Sequence, residues 1–191
     1  MEYLEKREAM GVQLHQSKQQ LVLVFVSGFL FGIVYANLAA DSFSTVTGVF
    51  HESFFTQYAQ TEIDIGEYFP YLLRYRMLPA VFLGLAGGTK FKKTAAIGTL
   101  LWTGFSAGIV AAASVLRLGA RGMLLCIAGM LPHFFFYSLA YIVILWYLYH
   151  YPQSEWNAGK TGFVAIMILA GIMTEAYLNP GIVKWFLKLI C

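Results

Sequence analysis

Hydrophobic residues in this chain fall into runs of about twenty, separated by shorter stretches where lysine, arginine, acids, glycine and proline collect. A bilayer core about 30 Å thick asks for about 20 apolar residues per helix, and lipid accepts only backbone whose hydrogen bonds close within the structure. The pattern predicts an all-α polytopic membrane bundle with five transmembrane helices, over 21–40, 69–87, 94–116, 122–149 and 162–179. The fourth run is long enough to tilt. The fifth is expected to end at Pro180 and Gly181, a pair that does not easily continue a helix. Residues 1–20 read as a polar N-terminal tail and residues 21–191 as one transmembrane domain, with 41–68 as a loop outside the membrane.

Within that loop Phe50, Phe54 and Tyr58 recur every four residues among polar neighbours. This spacing puts three rings on one face of a short helix lying in the headgroup region, either as an anchor or as a surface for a partner. Composition agrees with the pattern: 59% hydrophobic, 17% aromatic and 12% charged residues, with a mean hydropathy of +0.64, exclude a soluble globule.

Charge sets the expected orientation. With the N-terminus inside, the inner side holds Lys6, Arg7, Lys18, Lys90, Lys92, Lys93 and Lys160, against Arg117, Arg121, Lys184 and Lys188 outside. The loop 41–68 has five acids (Asp41, Glu52, Glu62, Asp64, Glu67) and no lysine or arginine. The expected location is the cell membrane, multi-pass, with a cytoplasmic N-terminus and an extracytoplasmic C-terminus. A basic head leads straight into a full-length span with no small-residue cleavage site, so the first helix is expected to stay as a signal anchor. Cys126 and Cys191 are not spaced for a disulfide framework or a metal site.

Four ionisable residues fall within the apolar runs: Arg74, Arg76, His133 and Glu175. Such groups are costly in hydrocarbon and usually face one another or a functional path. At 1.5 Å per residue, Arg74 lies about 7 Å and Glu175 about 10 Å below the outer face, with His133 about 16 Å down the fourth helix. An arginine and a glutamate at matching depth are cheaper as a pair than as isolated charges. That pair reads either as a structural clamp or as part of a conduction path. Pro132 predicts a kink in the fourth helix beside Gly129, and Gly129, His133, Tyr137 and Tyr141 would then form one stripe facing the bundle interior.

Gly104-Phe-Ser106-Ala-Gly108 matches G-x-S-x-G, and Ser106 sits at about the depth of His133. An intramembrane serine protease is thereby conceivable as a remote alternative. However, the hydrolase motif needs a strand-to-helix elbow, and Gly104 and Gly108 already suffice as a small-residue packing face. No HExxH, phosphate-cradling Gly-x-x-x-x-Gly-Lys or CxxC occurs, so no catalytic residue, cofactor or metal site is assigned.

Three segments carry a resemblance. They are Gly122-Met-Leu-Leu with Met130-Leu-Pro132-His133, then Glu175-Ala-Tyr-Leu-Asn-Pro180, and the small-residue run around Gly104–Gly108. Over roughly residues 70–185 the chain resembles the stage II sporulation protein M family of small bacterial and archaeal membrane proteins. It departs from that pattern where Phe134, Phe135 and Phe136 follow His133, with no acid after them, so no acidic role carries over to that helix. The resemblance implies a five-span scaffold with Pro132, His133, Glu175 and Pro180 as signature residues. In the named member it implies a hub gathering cell-wall hydrolases at the septum during forespore engulfment in sporulation. The expected function is thus a non-enzymatic scaffold whose partners are the bilayer, other membrane or cell-wall-processing proteins and, through its small-residue faces, a second copy of itself, with no nucleic acid. The alternative is a permease-like subunit of a transport complex.

Overall fold

The computed structural model of the chain describes residues 2–39, 57–58 and 60–190. Among the described residues the main helices follow in order: α1 (Glu2–Leu38), α2 (Ile65–Ala86), α3 (Lys92–Leu118), α4 (Ala120–Met130), α5 (His133–Tyr149), α6 (Ala158–Met173) and α7 (Asn179–Ile190), with a π-helical turn, Thr174–Leu178, joining the last two. Among the described residues there is no strand.

The span count differs from the expected five. Three stretches, Gln16–Leu38, Lys92–Leu118 and Ala158–Leu189, are long and apolar enough to cross a membrane, and a fourth results if α4 and α5 are taken as one bent span. α2 is long enough, but Arg74 and Arg76 dilute its apolar character, and it holds Pro70 and Pro79. α1 begins at Glu2, so the tail set apart at 1–20 continues the helix of the first span. Phe50 and Phe54 lie outside the described residues. Tyr58 packs on a small cluster built from Leu118, Leu125, Val183, Phe186 and Leu187.

Pro132 acts more strongly than a kink. Leu131 leaves the helix for extended backbone (φ −82°, ψ 143°), as the residue before a proline tends to, and α5 departs at 65° from α4. The expected stripe is therefore cut: Gly129 belongs to α4 and approaches Val183 of α7, while His133, Tyr137 and Tyr141 stay together on α5.

Pro180 acts less strongly than expected. The helix does not stop there but runs on to Ile190. Proline lacks an N–H and crowds the turn before it, and here the preceding turn is widened: Asn179 N–H donates to Thr174 O, a residue further back than in an α-helix. The clash is absorbed in the bulge, and Glu175 sits inside it.

Packing divides the chain into two parts. α1 lies along α3 through Gly28 and Gly32 on one side and Gly104 and Gly108 on the other; at each, an added Cβ would come within 3.0 Å of backbone oxygen on the facing helix. Gly28 meets Leu101 and Gly32 meets Phe105, so the two helices run parallel, and α2 must return the chain between them. The second part is α2, α5 and α6, whose core holds Leu72, Leu83, Ile144, Leu148, Ile168 and Ile172 and takes in Ala96 of α3, which joins the two parts. Gly171 lets α6 close on α5, since a Cβ there would meet the Tyr137 ring.

Candidate functional site

Glu175 is placed by the π turn at the meeting point of α2, α5 and α6, and only 5% of its surface is exposed. Arg76 reaches it from α2 as a fork: Nε donates to Oε2 at 2.8 Å and Nη2 to Oε1, forming the one ion pair found among the described residues. Two parallel bonds fix the planar guanidinium in orientation as well as position, which a lysine could not do. Tyr137 from α5 donates its hydroxyl to the same Oε2 at 2.7 Å, and its ring lies 5.2 Å below the Arg76 guanidinium. Tyr141, one turn further along α5, directs its hydroxyl at the Arg76 carbonyl over a long 3.4 Å.

His133 joins through Tyr137, edge-on at 5.8 Å between ring centroids, and is itself buried. Its Nδ1 has no hydrogen-bond partner among the described residues. The structure therefore brings Arg76, His133 and Glu175 into one cluster and leaves Arg74 out: Arg74 is exposed on another face of α2. The Arg76 side chain is 43% exposed, against 6% for Glu175, so the pair is sealed on the glutamate side and open on the arginine side.

Ser106 lies in the uninterrupted helix α3, with no elbow to present it, and both flanking glycines face α1. It makes no hydrogen bond with His133 among the described residues. No group of three metal-ligating side chains was found among those residues. Cys126 is a free thiol.

Glu175 accepts three bonds from side chains on two other helices. The cluster can therefore fix three helices against one another, with every charged atom of Glu175 answered by a donor. Glycine spacing in the first span, Gly28-x-x-x-Gly32, marks a packing face that the sequence reading passed over. Its signal was the same four-residue spacing recognised at Gly104 and Gly108.

Tyr137→Phe removes only the hydroxyl that bonds Glu175. Loss of a hydrogen bond to a charged group is expected to lower stability by about 1.5 kcal/mol, read as a fall in melting temperature of the purified protein in detergent.

No family model, no curated protein and no solved structure matches the chain.

Proposed function

We propose that this protein is a non-enzymatic membrane scaffold that gathers partner proteins, with the Arg76–Glu175–Tyr137 cluster holding its frame. The observation that carries this reading is that the buried carboxylate of Glu175 is taken up by Arg76 and Tyr137. Glu175 accepts from two residues on two other helices. A conduction path would need that carboxylate free for what passes.

In this reading α2 crosses the bilayer with α1 and α3, because the parallel course of α1 and α3 requires a return between them. The basic end is cytoplasmic. Lys18 lies over Trp146, Lys92 over Tyr147 and Tyr151, and Lys93 over Tyr149, so one end of the bundle combines lysines with an aromatic belt. The opposite end carries Glu62 and Asp64 just before α2 and Glu67 in its first turn, held to α7 where Lys184 donates to the Thr61 carbonyl at 2.6 Å. Partners would meet α1 and α2 through outward apolar faces that include Leu23, Leu30 and Phe31 on α1 and Tyr71, Leu78 and Phe82 on α2. If the resemblance to the stage II sporulation protein M family holds, those partners include cell-wall hydrolases.

The test is recovery of tagged full-length protein from its native membrane in mild detergent, with its companions identified by mass spectrometry. The scaffold reading expects cell-wall-processing or other membrane proteins. Recovery of a nucleotide-binding subunit as the main companion would replace it with the transport reading.

A further inference from the structure

We infer that the basic end of the bundle holds a binding site for an anionic glycerophospholipid, with the phosphate headgroup among Lys90, Lys92 and Lys93 and one acyl chain between α2 and α3. Two cavities meet there. A polar one of about 490 Å³ is lined by Thr89, Lys90, Lys92, Lys93, Thr94 and Tyr151. An apolar one of about 460 Å³ is lined by Phe82, Leu85, Ala86, Phe91 and Ala95, and shares Thr89 and Thr94 with the first. The two threonines mark the boundary between the halves. Two neighbouring cavities that share Thr89 and Thr94, one cationic and the other hydrocarbon, have the profile of a charged lipid.

Charge supports the assignment. Among the described residues none of the three lysines is paired with a carboxylate. Glu155, on the neighbouring α5–α6 loop, is beside Lys160, whose Nζ bonds the Glu155 carbonyl and Ser154 Oγ. Lys92 is not a loose surface chain either: its ammonium rests 3.1 Å from the centroid of Tyr151. Holding a cation at the rim in advance reduces the ordering cost of binding an anion. The apolar half extends along α2 from Phe82 to Ala86, about 6 Å of helix, and on to Thr89 in the turn, enough for the upper part of one acyl chain. Basic pockets between membrane helices take phosphate-bearing headgroups for these reasons. An inorganic phosphate would use only the polar half, which gives a means of telling the two apart.

The experiment uses the full chain, delipidated in a neutral detergent, with phosphatidylglycerol, phosphatidylcholine of the same acyl chains, and inorganic phosphate as probes, read by native mass spectrometry and melting temperature. Phosphatidylglycerol is expected to bind on the order of 100-fold tighter than phosphatidylcholine, and the triple change Lys90→Gln, Lys92→Gln and Lys93→Gln to erase that preference. The single exposed change Lys90→Gln, which does not touch the fold, is expected to weaken phosphatidylglycerol about fivefold. Leu85→Asp is expected to weaken the lipid while leaving any phosphate effect unchanged. Equal retention of the two lipids by the unaltered protein, or undiminished retention by the lysine variants, would overturn the site. Protection by inorganic phosphate equal to that by the lipid would overturn the lipid assignment in favour of a free anion.

Discussion

Glu175→Gln is expected to lower stability by about 2–3 kcal/mol in detergent. The amide keeps the size of the carboxylate and can still accept from Tyr137, so the change isolates the charge. What it leaves behind is the Arg76 guanidinium with no anion, at a position where both its forked bonds ended on Glu175. Breaking a buried pair usually costs 3–5 kcal/mol, and the lower figure here follows from the 43% exposure of Arg76. Thermal unfolding followed by the far-ultraviolet helix signal gives the measurement.

Gly108→Leu is expected to be at least as damaging, by about 3 kcal/mol or more. Its site on α3 has no room, since even a Cβ would press on the Phe29 carbonyl of α1, and that obstacle is backbone, which cannot swing aside. Lipid provides little hydrophobic drive between helices, so close backbone approach is what holds α1 to α3. Losing it frees α1 from its main contact. Gly98→Leu on the same helix is the control, with no heavy atom within 4 Å of the added Cβ and no change in melting temperature expected. A fall of equal size in both variants would show that a leucine anywhere on this helix, and not the loss of the glycine contact, was responsible.

These outcomes bear on what could be read before the structure. Depth along each helix was enough to put Arg76 and Glu175 at the same level, because rise per residue is fixed by backbone geometry. It could not choose between Arg74 and Arg76, which are two residues apart and so fall on different faces of α2; only the rotation of the helix against α6 decides that. The long apolar runs of α1 and α3 were legible because lipid demands them. The run 69–87 was read as a span like the others, and α2 is a helix there, but Arg74 and Arg76 lower its apolar character below that of the three long spans. Proline proved ambiguous. Before His133 it broke the helix by 65°, whereas at Pro180 a π turn absorbed it and the chain stayed helical to Ile190. The difference lies in whether the preceding turn can widen, which depends on neighbours far away in sequence.

The double-mutant cycle at Arg76 and Glu175 tests the central claim most directly, with Arg76→Met, Glu175→Gln and the double variant compared by melting in detergent. Residues acting as one clamp are coupled, so the double variant should be no less stable than the worse single one, and the coupling should reach about 1–3 kcal/mol. Additive losses would contradict the clamp, as would unchanged stability in all three variants together with lost assembly or flux in the native membrane.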